Sequence, residues 1–139
     1  MTRRELRIFS MQILYSMELR GIGLDEAIEY VNDDNYDVET KKFLSNVVTN
    51  LEEIDEVITR NLEGYTISRL NLVDKQIIRI AVYEMLKTDT EIQIIIDEAL
   101  EITKKFSDEG NHKAVAFNNR LLQNIYEKEK KWLSWKKGI

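Results

Sequence analysis

Apolar residues recur along this chain at the three- and four-residue intervals of an α-helix, almost from end to end. Leu6, Phe9, Ile13 and Met17 form the first stripe. It opens with Thr2-Arg-Arg-Glu5, a capping box in which the Thr2 hydroxyl takes the Glu5 amide hydrogen and Glu5 reaches back. The spacing predicts a helix to about Leu19, stopped by Gly21 and Gly23. Leu24, Ala27, Ile28 and Val31 mark a short second helix, closed by the loop Asn32-Asp-Asp-Asn35. Asp37 is the expected N-cap of a long third helix, whose stripe runs from Phe43 through Val47, Leu51, Ile54 and Ile58 to Leu62 and stops at Gly64. Tyr65 to Leu70 has room for one helical turn.

The pattern then changes. From Ile77 to Leu86 the residues Ile77, Ile78, Ile80, Ala81, Val82, Tyr83, Met85 and Leu86 cover nearly the whole circumference of a helix. A helix apolar on most sides is packed by neighbours all round. Asn71 is its predicted N-cap and Asp74 its N3 acid. Arg79 and Glu84 lie inside the apolar stretch, where charges need partners. Thr88-Asp-Thr90 breaks the chain again. Ile92, Ile95, Ala99, Ile102 and Phe106 mark a further helix, and Phe117, Leu121 and Ile125 a last one, after the loop Ser107-Asp-Glu-Gly-Asn111. The reading is all-α: two packed small helical bundles, six to seven helices and no strand signal. The expected halves are residues 1–64 and 65–139, meeting near Gly64 within one compact domain, the second half ending in a basic tail.

Composition narrows the function. The chain has 139 residues, no proline and no cysteine, which removes disulfides, thiol nucleophiles and thiolate metal sites together. It has no apolar run long enough to span a membrane and no signal-peptide pattern at its start, so a cytoplasmic location is expected. The net charge of −5 argues weakly against nucleic acid, but it is unevenly spread. Residues 21–64 carry three bases against twelve acids, whereas residues 107–139 carry seven bases against four. The termini are basic and the second quarter is acidic.

Catalytic patterns are missing. His112 is the sole histidine, so no histidine-based metal cluster is possible, and no glycine-rich phosphate loop occurs. No cofactor is implied and the chain does not read as an enzyme. Binding is better supported. Arg4, Arg7, Met11 and Tyr15 share one helical stripe, apart from Leu6, Phe9 and Ile13, with Arg3 beside it. Cations at a helix N-terminus oppose the macrodipole. Arginine forks suit phosphate, and a tyrosine ring suits an unstacked base. The plain alternative is a solvated face with Tyr15 half-buried. The tail, with Trp132 and Trp135 among lysines, is a second basic and aromatic element. Its lysines also favour the dipole of the helix end they occupy, and its tryptophans could simply dock on the bundle.

Three blocks carry a family resemblance, in the same order along nearly the whole chain. Arg3-Arg-Glu-Leu-Arg7 leads into Gln12-Ile-Leu-Tyr15; Val73-Asp-Lys-Gln-Ile-Ile-Arg-Ile-Ala-Val-Tyr-Glu84 follows; then comes Ile96-Asp-Glu-Ala-Leu-Glu-Ile-Thr-Lys-Lys-Phe106. Together they resemble the NusB family of bacterial transcription antitermination factors. The resemblance implies an all-helical fold, binding of single-stranded boxA RNA from nascent ribosomal RNA jointly with the ribosomal protein NusE, and action on the RNA polymerase elongation complex. It implies RNA contacts at Arg3, Arg4, Arg7, Gln12 and Tyr15, with His112 and Lys113 near the RNA side, and a NusE-facing position at Asp74. Arg79 and Tyr83 on the same helix are further partner-binding candidates. The family's Phe-Val-Asn-Gly motif reads Phe117-Asn-Asn-Arg120 here, after an apparent insertion at Ala114-Val-Ala116. Arg120 therefore implies altered packing or an outward side chain, and Asn119 is expected to be structural. Similar domains precede the catalytic part of ribosomal RNA cytosine methyltransferases, but that chemistry needs a cysteine. The alternative is a protein-only helical adaptor or homodimer, for which the acidic middle segment suits a basic partner.

Overall fold

A computed structural model describes residues 1–31 and 36–136 of the chain, with side chains as far as Glu129. The expected loop Asn32–Asn35 and the side chains of Trp132 and Trp135 lie outside the described residues. Seven α-helices and one 3-10 turn make up the described fold: α1 (Arg3–Arg20), α2 (Leu24–Val31), α3 (Val38–Thr49), α4 (Leu51–Arg60), a 3-10 turn (Ile67–Arg69), α5 (Leu72–Lys87), α6 (Ile92–Phe106) and α7 (Lys113–Lys136). No strand occurs among the described residues. Contacts gather the chain into two compact units, residues 1–51 and 52–139, with the boundary ahead of Gly64.

In the first unit α1 packs against α2 and α3. The Thr2 hydroxyl accepts the Glu5 amide hydrogen at 3.1 Å and donates to the Glu5 carboxylate at 3.2 Å, so the reciprocal bond goes to the hydroxyl and not to the Thr2 backbone. Gly21 ends α1 in the left-handed region, where its φ of 65° suits glycine. Leu6, Phe9 and Ile13 are buried as their spacing predicts, but so are Arg7, Ser10, Met11 and Leu14. The buried arc of α1 is therefore much wider than one stripe.

The long third helix expected from residue 37 is two helices. Asp37 caps α3 as anticipated, accepting from the Thr40 amide at 2.8 Å and the Thr40 hydroxyl at 2.7 Å. These bonds favour its ionised form and hold its carboxyl below the ordinary value. Two polar side chains then turn back onto the last turn: the Thr49 hydroxyl donates to the Ser45 carbonyl at 2.8 Å and the Asn50 amide to the Asn46 carbonyl at 2.7 Å. Such local bonds compete with helix continuation. The apolar period runs through the break unchanged, so periodicity alone does not reveal it.

In the second unit α5, α6 and α7 pack pairwise on one another. Asn71 caps α5, its side-chain oxygen accepting from the amides of Val73 at 3.0 Å and Asp74 at 3.2 Å. Every residue of α5 from Asp74 to Leu86 is buried. α4 is tied to α5 by Arg79–Asp55 and Lys87–Glu53, and to α7 by Arg60–Glu129.

Candidate nucleic-acid interface

The open part of α1 is set by helical register. At 3.6 residues per turn, Arg4, Ile8, Gln12, Tyr15 and Leu19 fall within roughly 80° of arc. Arg4, Gln12 and Leu19 are exposed, and Ile8 and Tyr15 are half-buried. This face presents a guanidinium, an amide and a phenol along one line. Arg3 stands beside it, also exposed, with its guanidinium 3.7 Å from Glu39 and 5.6 Å from the centre of the Phe43 ring. Further along, Arg20 lies over the Tyr30 ring at 3.8 Å and donates to its hydroxyl.

The expected stripe Arg4–Arg7–Met11–Tyr15 does not form one solvated face. Arg7 is only 6% exposed and Met11 is buried with it. The reason is the wide buried arc of α1, which takes in positions that a single apolar stripe would leave outside. Gln12 replaces them as the exposed middle of the face. Its link to Arg4 and Tyr15, eight residues on and then three, was present in the sequence; Ile8 and Leu19 were missed because apolar residues read as core by default.

His112 and Lys113 are exposed at the start of α7. His112 has a φ of 60°, unusual for a residue with a side chain. Asp108 holds the turn, accepting from the His112 amide at 3.0 Å and standing 3.5 Å from the ring nitrogen Nδ1. The Lys113 amide donates to the Asn111 side chain at 3.1 Å. The loop thus presents two basic side chains on a backbone fixed by acidic and amide groups.

The partner-binding candidates of α5 sit differently. Asp74, expected at an exposed helix start, is 9% exposed. It accepts from the Asn118 amide at 3.2 Å, and the same Asn118 nitrogen donates to the Thr103 hydroxyl at 3.0 Å. One buried amide therefore joins α5, α6 and α7. This structural asparagine is Asn118 and not the expected Asn119, which is exposed. Positions 118, 121, 122 and 125 are the buried stripe of α7, and 119 falls off it. Arg79 is buried too, donating from Nε and Nη2 to the two Asp55 oxygens at 2.9 and 2.7 Å and from Nη1 to Gln76 at 3.1 Å. Tyr83 is 5% exposed. Arg120 is exposed, the outward of the two outcomes expected for it.

The base of α7 is fixed by Glu129. It takes a two-point bond from Arg60 and a third from the Asn61 amide at 3.2 Å. The Arg60 guanidinium holds the Glu129 carboxyl below its ordinary value, against the opposing effect of burial.

Comparison with known proteins identifies the family of the chain. The NusB family profile matches residues 4–127. The transcription antitermination protein NusB of Staphylococcus aureus (strain MRSA252) is 37% identical over 131 residues, covering 90% of this chain and 98% of that protein. The solved NusB of T. maritima superimposes with a TM-score of 0.80 at 32% identity, covering 92% of each chain. A chain in a crystal structure of the antitermination factors NusB and NusE in complex with double-stranded RNA superimposes with a TM-score of 0.74 at 31% identity, covering 91% of this chain and 96% of that one. By profile, sequence and fold, this chain belongs to the NusB family of transcription antitermination factors.

Proposed function

We propose that the chain binds single-stranded boxA-like RNA through the open face of α1 and does so together with NusE, as a non-catalytic factor acting on transcript elongation by RNA polymerase. The observation that carries the reading is the line of exposed Arg4, exposed Gln12 and half-buried Tyr15, with exposed Arg3 beside it. It sets phosphate-binding guanidinium groups at a helix N-terminus, where they oppose the macrodipole. It also sets an aromatic ring where an unstacked base could lie on it. His112 and Lys113 are a second, loop-borne contact of the same kind. Arg7 is buried and acts by supporting α1. Asp74, Arg79 and Tyr83 act by ordering α5, and any face offered to NusE by that helix would be shaped by them without direct contact. A solved relative stands in one complex with NusE and double-stranded RNA, which supports this partnership.

The test is fluorescence anisotropy with a short boxA-like RNA, with and without NusE, at two salt concentrations. Each lost phosphate contact to a single strand lowers the log–log salt slope by about 0.7. Arg3→Ala with Arg4→Ala is expected to weaken binding by about ten-fold and reduce that slope by about 1.4. Binding by the double variant equal to the parent would refute the site. No RNA response by the parent, with NusE or without it, would favour the protein-only adaptor, and light scattering would then report a homodimer.

A further inference from the structure

A recess lies wholly inside the second unit, lined by none of the residues assigned above to RNA or NusE. One wall is α7, where Phe117, Arg120, Leu121 and Asn124 fall on one helical face. The other is the segment after α4, with Leu62, Glu63 and Tyr65. Gly64, at a φ of 76° that glycine favours, turns the chain between Glu63 and Tyr65. The Tyr65 ring then meets the Phe117 ring edge-on at 5.8 Å. Together these residues enclose about 240 Å³. Asn61 fixes the segment from behind: its side-chain nitrogen donates to the Val57 carbonyl at 2.8 Å and to Glu129 at 3.2 Å, and Arg60 clasps Glu129. The walls are therefore held in place before any ligand arrives.

The chemistry of the lining is specific. Arg120 is exposed and, among the described residues, makes no ion pair or hydrogen bond. Glu63, the acid beside it in the lining, stands 3.5 Å from Lys128. The uncommitted charge is thus a guanidinium, whose paired donors suit a phosphate. Tyr65 is 52% exposed and Phe117 half-buried, so both offer ring surface to a planar group. Asn124, also half-buried, adds an amide with a donor and an acceptor. Cavities that enclose a whole drug-sized ligand span about 300–1,000 Å³. This one is smaller, so it takes a single ring system and leaves the remainder of the ligand at the opening.

We infer that the recess binds a free nucleotide, its base against the Tyr65 and Phe117 rings and its phosphate on Arg120. A continuous RNA strand needs a succession of cations and rings. Here one cation is uncommitted, and its neighbour Lys128 is turned to Glu63. A peptide anchored by an aliphatic side chain fits less well, because Leu121 is only 4% exposed and the open walls are chiefly rings and polar groups. The site is separate from the α1 face and stands or falls without the RNA reading.

The experiment titrates the full chain with AMP, adenosine and ribose 5-phosphate, following backbone amide shifts by ¹H–¹⁵N NMR. AMP is expected to bind at least ten-fold tighter than either fragment, with shifts confined to residues 61–65 and 117–124. Added salt should weaken AMP and leave adenosine unchanged. Arg120→Gln should weaken AMP about ten-fold and adenosine not at all. Tyr65→Leu should weaken AMP and adenosine alike, by about five-fold or more. Both side chains are exposed, so the variants should keep the parent's spectrum elsewhere. Shifts centred on Arg3, Arg4 and Gln12 would mean that AMP reads the α1 face, and would overturn the site. Adenosine binding as tightly as AMP, or Arg120→Gln without effect, would overturn it too. Displacement of AMP by a boxA-like RNA would assign the recess to a base of the transcript and overturn the free nucleotide. RNA binding that leaves AMP in place would support it, and absence of RNA binding would leave the AMP results standing on their own.

Discussion

The first turns of α1 and α5 are both capped by a polar side chain, and both carry charge, yet the charges do opposite things. In α5 an acid stands at the helix N-terminus, where the dipole favours it, and Asn118 covers it inside the bundle. In α1 two arginines stand at the same kind of position, where the dipole disfavours them, and both remain exposed. Asp74 is explained by the fold alone. Arg3 and Arg4 stand against the dipole and in the open, and exposed charge at the disfavoured end of a helix is the better mark of a binding surface. Chemical type did not separate the two sets in the sequence. What separates them is whether local electrostatics and burial already account for the charge.

The comparison breaks most visibly if a buried charge of α5 turns out to serve binding. Arg79→Met leaves Asp55 and Gln76 without their shared donor. Removing one partner of a buried ion pair typically costs about 3–5 kcal/mol. Asp55 keeps some solvent access, at 29% exposure, so about 2–3 kcal/mol is expected from urea unfolding followed by circular dichroism. Arg79→Met with Asp55→Leu should recover part of the loss, because it removes the stranded carboxylate. RNA and NusE affinities measured where the variant is folded should match the parent. A variant of parental stability that had lost NusE would put Arg79 on the surface side of the comparison.

Much of the fold was legible because burial and helical period agree over α2, α5, α6 and α7. Ile77–Leu86 predicts a helix enclosed on all sides, and all of it is buried. The α3–α4 break was illegible for a physical reason: it is made by Thr49 and Asn50 bonding back to the chain, while the apolar stripe passes through unchanged. The open face of the candidate site was legible in part. Arg3, Arg4 and Gln12 are exposed as the reading requires, but the burial of Arg7 depends on packing that one stripe cannot report. Asn118 and Asn119 show the limit most clearly. A motif match pointed to one asparagine, and the helix turned its neighbour into the core, a difference of about 100° of rotation.

A smaller effect tests the ion pair that anchors α7. Glu129 is held below its ordinary carboxyl value, chiefly by its bonds from Arg60. A group whose folded value is depressed stabilises fully above its unfolded value of about 4.3, and that contribution is lost as pH falls through the folded value. Glu129→Gln removes the charge and keeps the shape. Arg60 is half exposed, so the pair is screened and a loss of about 1 kcal/mol is expected at pH 7. Unfolding curves of parent and variant should converge as pH drops below about 4.3. A gap that persisted at the lowest pH would mean that packing, and not charge, anchors this end of α7.

The smallest expected change in stability is at the α1 tip, and its smallness is the point. Arg3→Ala with Arg4→Ala removes two cations from the positive end of a helix dipole, worth about 0.3–1 kcal/mol each at exposed sites. Against that gain stands the loss of the contacts that both exposed side chains make, Arg3's with Glu39 and Phe43 among them, each of little net worth. The two nearly cancel, so the unfolding free energy should move by no more than about 0.5 kcal/mol, in either direction. The same double variant is the one expected to bind boxA-like RNA about ten-fold more weakly. At Arg79 the signs reverse: a large stability loss with binding intact. A loss above about 2 kcal/mol at the α1 tip would make these arginines structural, because exposed side chains opposed to a dipole have no other route to so large an effect.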